Sequence, residues 1–167
     1  MVILGIDPGV ATTGYGVIKF SESGESCIFV YGIISSSARE RFSKRLLKIY
    51  QELKKIIKKY KPDLLAIENI YFAKNAKTAI NVGKAIGVIL LLGEEKKIPF
   101  LELTPLQVKQ SLTGFGRADK AQVQNMVKRL LGLSKIPKPD DAADALAMAL
   151  TAHQYNKTYE KNKACSS

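Results

Sequence analysis

The chain has 167 residues and a formal charge of +11, from 26 Lys and Arg against 15 Asp and Glu, with 46% hydrophobic and 25% charged residues. That balance excludes long disorder, collagen-like repeats and a disulfide-dense secreted scaffold, and the size fits one domain. The longest apolar run, Ala85 to Gly93, is about half of the ~20 residues a membrane helix needs. Asp7 and Pro8 come too early for a secretory signal, and Cys27 and Cys165 form no framework, so the expected location is cytoplasmic, with both thiols reduced. The positive excess points to a polyanionic partner, although a Lys-rich surface also serves solubility or heat tolerance.

In chain order, Val2 to Ile6 reads as a buried strand ending at Asp7, and Pro8-Gly9 with Gly14 and Gly16 reads as turn chemistry before a second strand through Val17, Ile18 and Phe20. Cys27 to Ile34 completes an antiparallel meander. Arg39 to Lys61 carries ten Lys and Arg against Glu40 and Glu52, with Phe42, Leu46, Ile49, Leu53, Ile56 and Tyr60 at helical spacing. This is an amphipathic surface helix whose lysines either track phosphates or simply form a solvated face. Leu64 to Ile67 is a short strand ending at Glu68. An apolar helix from Ala76 to about Lys96 and a strand from Pro99 to Leu103 follow. Thr104 with Gln107, and Asp119 with Gln122, are spaced as capping boxes for two more helices, the second stopped by Gly132. The last helix runs from Asp140 to about Tyr155. The order predicts an α/β domain with a mixed five-stranded sheet over residues 1–155, and a polar, flexible tail over 156–167. That tail holds only +2 of the charge.

Most of the acids have local explanations. Asp119 caps a helix, Asp63 follows Pro62 at a strand start, and seven glutamates fall in turns, on polar helix faces or in the tail. Glu102 reads as the outward residue of an alternating strand. Asp7 and Glu68 differ, because each ends an apolar stretch that belongs in the middle of a sheet, where a carboxylate is costly unless paired or metal-bound. Strand ends are also where α/β sheets place their sites. Asp141 and Asp144 share one face at a helix start. Asp140 is explained by an N-cap and the helix dipole, whereas Asp144 fits that explanation poorly. Clustered acids without Cys or His suit Mg²⁺ or Mn²⁺ rather than zinc, and His153 is too far along its helix to join them. Two such ions would cut a phosphodiester without a protein nucleophile. A basic body around an acidic nest therefore suggests a nuclease.

The segments GIDPG…TGYGVI, AIENIYFAKNAKTA, QVKQSLTGFGRADKAQVQ and DDAADALAMALTAH, in order over roughly Val2 to His153, resemble the bacterial crossover junction endodeoxyribonuclease (RuvC) family. GIDPG alone is weak, since sugar-kinase and actin-like ATPases begin similarly. The resemblance implies a ribonuclease H-like fold and a homodimer that resolves four-way Holliday junctions by paired symmetric nicks with Mg²⁺. It also implies a partnership with the RuvA-RuvB branch-migration complex. By motif position the family's catalytic, metal-holding acids fall on Asp7, Glu68, Asp141 and Asp144, with Asp140 the competitor for Asp141. Its basic residues near the scissile phosphate fall on Lys109 and Lys120, which otherwise read as solvated helix lysines. Its base-stacking aromatic, usually Phe, falls on Tyr71, beside Phe72 and Lys74. The family dimerises through the helix carrying Gly83 and Gly87, glycines that packing against the chain's own sheet would also explain.

Overall fold

The computed structural model describes residues 1–23, 25–69 and 76–164. Its strands are Val2–Asp7 (β1), Thr12–Phe20 (β2), Ser26–Ser35 (β3), Leu64–Glu68 (β4) and Phe100–Leu103 (β5). Its helices are Phe42–Tyr60 (α1), Ala76–Lys96 (α2), Pro105–Thr113 (α3), Lys120–Leu130 (α4) and Asp140–Ala164 (α5). The sheet order is β3-β2-β1-β4-β5, antiparallel across β3, β2 and β1 and parallel across β1, β4 and β5. Both expected capping boxes form, at Thr104 with Gln107 and at Asp119 with Gln122. The last helix departs from expectation by continuing past Tyr155 to Ala164. His153 consequently lies within it, stacked on Phe20, rather than at its end.

Strand side chains alternate between the two faces of the sheet, and each face has its own core. Leu4, Ile6, Leu65 and Ile67 pack with α1 and α2 through Ile49, Leu53, Ile57, Ile89 and Leu92. In α1 it is Ile57 that is buried, while Ile56 is half-buried beside it. Ile3, Leu64 and Ala66 pack on the other face with Val108, Val127 and Leu146 of α3, α4 and α5. Continuing that alternation past Ile3 and Gly5 brings Asp7 to the α5 face, and continuing it past Leu64 and Ala66 brings Glu68 there. Since β1 and β4 are adjacent and Ile6 is level with Ile67, the two carboxylates become neighbours.

Gly14 and Gly16 are not turn residues. They lie inside β2, level with Asp7 and Gly5 of β1. Together these glycines seat α5 on the sheet: a β-carbon on Gly14 would stand 2.0 Å from the Asp141 carbonyl oxygen, and one on Gly5 would stand 2.0 Å from that of Ala145. The close approach sets the start of α5 directly over the end of β1. The neighbouring turn is fixed as well, because the buried Thr13 hydroxyl donates to the Gly9 carbonyl at 2.6 Å and the Ser36 hydroxyl to that of Val10 at 2.6 Å. Gly83 and Gly87 are different, since a β-carbon on either would meet nothing within 4 Å. Packing against the chain's own sheet therefore does not account for them.

Gly5→Ala should force α5 off the sheet and cost about 2–4 kcal/mol of stability, read by urea unfolding. A loss below about 0.5 kcal/mol would show that the helix is not seated this tightly.

Candidate active site

Asp7 and Glu68, at the ends of β1 and β4, line a cleft of about 230 Å³ together with Asp144 from the first turns of α5. Lys109 of α3 and Lys120 of α4 form its basic rim, and Val108, Val123 and Met148 contribute an apolar wall. Asp141, one turn before Ala145, lines a second cleft of about 410 Å³ beside the Gly9–Thr12 turn, with Arg45 and Asn81 across from it. Arg45 is held by its Nε, which donates to Ser36 at 2.8 Å. The four acids singled out from the sequence thus gather around the end of β1 on both sides of the α5 start.

Their electrostatics are unfavourable in the absence of a cation. Burial, followed by the charges of Glu68, Asp144 and Asp141, pushes the Asp7 carboxyl up to about 8, so near neutral pH it holds a proton and donates it to Glu68. Burial also raises Glu68, against the lowering effect of that hydrogen bond. Asp144 is raised by burial and partly rescued by Lys120, whose Nζ donates to its Oδ2 at 2.9 Å. Burial opposes the charge on Lys120, but its hydrogen bond to Asp144 and the nearby acids outweigh that cost and raise it. Among the described residues no three acids gather closely enough in this arrangement to grip a metal ion. Asp144 is engaged by Lys120, and Asp141 borders the other cleft.

Asp140 does not act as an N-cap. It is the first helical residue, and its carboxylate accepts from Lys138 at 2.6 Å and lies 3.7 Å from Lys120. Lys138 foremost, then Lys120, holds it below the usual carboxylate range. Glu102 is exposed on β5 and accepts from the side chain of Asn69 at 2.5 Å, a structural pairing next to Glu68. The Thr113–Gly116 segment between the two lysines is a built turn. Gly114 adopts φ 72°, and the Thr113 hydroxyl donates to the Lys109 carbonyl at 2.8 Å while accepting from the Phe115 N–H. Tyr71, Phe72 and Lys74 lie outside the described residues. The sequence reading missed the apolar wall and the buried Gln124 of α4, whose side-chain nitrogen has no hydrogen-bond partner among the described residues. Their only sequence signal was helical periodicity, which marks a core as readily as a cleft.

Oxygen donors gathered where a polyanion can reach them, with lysines at the rim, equip a phosphodiester nuclease rather than a simple DNA binder, and the sheet is that of the ribonuclease H-like class. Comparison with known proteins narrows the class. The family described as "Crossover junction endodeoxyribonuclease RuvC" matches residues 3–153. The crossover junction endodeoxyribonuclease RuvC of Caldicellulosiruptor saccharolyticus is 56% identical over 150 residues, 90% of each chain. That of Desulforamulus reducens is 52% identical over 159 residues, 95% of this chain and 97% of its own. Thermus thermophilus RuvC, solved in complex with a Holliday junction substrate, superposes with a TM-score of 0.87 at 31% identity over 95% of this chain and 96% of its own. The chain belongs to the RuvC family and is a crossover junction endodeoxyribonuclease, a structure-selective enzyme that resolves Holliday junctions in recombination and repair. Nucleases of this family are metal-dependent. No helix among the described residues is long and apolar enough to cross a membrane.

The raised Asp7 carboxyl has a consequence for stability. Its folded value lies above the unfolded one of 3.8, so its stabilising effect is complete at acid pH and is lost as pH rises towards about 8. Metal-free Asp7→Asn protein, which has no proton to lose there, should therefore gain in melting temperature relative to the parent as the pH is raised from 5 to 9 in EDTA. A melting difference that stays constant across that range would contradict the account.

Proposed function

We propose that the chain acts as a homodimer, its nuclease domain spanning residues 1–155, and cuts two symmetric strands of a four-way junction. In this reading Asp7, Glu68, Asp141 and Asp144 of each subunit hold two Mg²⁺ ions, with Mn²⁺ as a working substitute. The observation that carries it is the convergence of two strand ends and one helix start on a single group of acids that repel one another. All of the donors are oxygens, which suits a hard divalent cation, and a cation's charge would relieve the repulsion that raises Asp7. When bound, such ions supply an activated water and charge stabilisation at the scissile phosphate.

The chain's own residues perform the remaining tasks. Glu68 and Asp7 stand side by side because β1 and β4 are level, so they share one load. Lys120, released from Asp144, is free to meet a phosphate oxygen, and Lys109 stands at the same rim. Val108, Val123 and Met148 keep water from one side of the cleft. Tyr71 and Lys74 are proposed DNA contacts, one stacking on an opened base and the other meeting the backbone. The dimer reading is supported by α2, where Ile80 and Leu91 are exposed at 59% and 67% on the same face as the uncovered Gly83 and Gly87. A two-fold dimer would match the symmetry of a junction. The RuvA-RuvB complex is proposed as partner on the strength of family membership alone.

A synthetic four-way junction tests the reading. Addition of Mg²⁺ should convert the bound junction into two nicked duplexes that ligase can seal. Asp144→Asn should lower the cutting rate by at least about a hundredfold while leaving junction affinity equal or tighter, because one repulsive charge is gone. Loss of binding together with cutting would count against Asp144 as a ligand.

A further inference from the structure

The acids lie at the C-terminal ends of β1 and β4. At the other end of the sheet the chain enters β4 and β5 by two similar connections. α1 leads through Lys61, at φ 47° and ψ 61°, into Pro62-Asp63, and α2 leads through Lys97, at φ 55°, into Ile98-Pro99. Glycine is the usual residue for such left-handed positions at helix ends, yet both hold lysine. Between the connections lies a cleft of about 700 Å³. Ile57, Pro62, Ile98 and Pro99 give it an apolar lining, and lysines surround it.

The charges of this cleft do not cancel. Glu95 takes two lysines, Lys54 at 3.0 Å and Lys96 at 2.8 Å, and also accepts from the Tyr50 hydroxyl. Those three contacts, Lys96 first, hold it down at about 2. Asp63 is engaged by the Val2 N–H at 2.6 Å. Lys58, Lys61 and Lys97 also line the cleft and have no carboxylate partner among the described residues. The ends of α1 and α2 carry roughly half a negative charge each, about one unit for three ammonium groups. The surplus sits on an indented apolar surface.

We propose that this cleft docks an acidic, extended segment of a partner protein, with an apolar side chain seated between Pro62 and Pro99 and flanking Asp or Glu side chains on Lys58, Lys61 and Lys97. Charge complementarity selects the sign of the occupant, and the apolar lining selects its kind. A DNA duplex presents a convex row of phosphates that would meet the lysines and leave the lining wet. The cleft is also separated from Glu68 by the length of β4, about 17 Å at strand rise, on the end of the sheet away from the acids. The surface therefore lies apart from those acids, at the opposite end of β4.

The test uses the full chain and a fluorescent acidic octapeptide with a central Leu-Phe pair. A control peptide of equal charge has Gly-Ser in the centre. The Leu-Phe peptide should bind, and Lys58→Gln/Lys61→Gln/Lys97→Gln should weaken it at least about tenfold while junction affinity and cutting stay at the parent level. The corresponding triple Arg variant should bind the peptide as the parent does. Three results would each overturn the proposal: absence of peptide binding, equal binding of both peptides or full displacement by inorganic phosphate or ATP, and a matching loss of junction affinity in the Gln variant. The second would mark a plain anion site, and the third a DNA surface.

Discussion

Mutual repulsion among carboxylates that the fold forces together is the constraint on which the rest of the molecule depends. Asp7 and Glu68 are neighbours because β1 and β4 run parallel and level, and Asp141 and Asp144 join them because α5 lies against glycine. Burial and proximity then raise Asp7 far above the ordinary carboxylate range. A group of this kind is stable only when positive charge reaches it. In this structure Lys120 supplies part of that charge and a proton on Asp7 relieves more of it; in the proposed reading divalent cations would supply the remainder.

The scaffold bears the cost of holding these acids in place. Two separate apolar layers, one under α1 and α2 and the other under α3, α4 and α5, grip both faces of the central strands. Thr13 and Ser36 fasten the turn that follows Asp7, and Arg45 fastens Ser36. Lys120 projects from a helix whose start is fixed by the Asp119–Gln122 box, so its reach towards Asp144 is set by local sequence. The large positive balance of the chain acts at two levels: it favours a polyanionic partner, and at one lysine it steadies the clustered acids.

Much of this was legible in the sequence, for identifiable reasons. β1 and β4 are short apolar runs each closed by an acid, a pattern that has few structural uses, so Asp7 and Glu68 stand out in the sequence itself. The capping boxes were equally plain, because they rest on contacts between residues three apart. Gly14 and Gly16 look like turn residues in the sequence because their purpose is a contact with α5, more than a hundred residues away in the chain. Asp140 reads as a cap from sequence because a helix start offers that role, whereas its carboxylate pairs with the neighbouring Lys138 and, once the fold brings α4 against α5, with Lys120. Gly83 and Gly87 left two explanations open, and only their uncovered position removed one of them.

The central claim is that the acids around Asp7 cluster in order to hold divalent cations. Mn²⁺ binding, followed by electron paramagnetic resonance on the junction-bound protein, tests it most directly. Mn²⁺ should bind tightly, and Asp7→Asn should weaken that binding by at least about tenfold while the junction stays bound. Mn²⁺ binding of equal strength in the parent and in Asp7→Asn would contradict it.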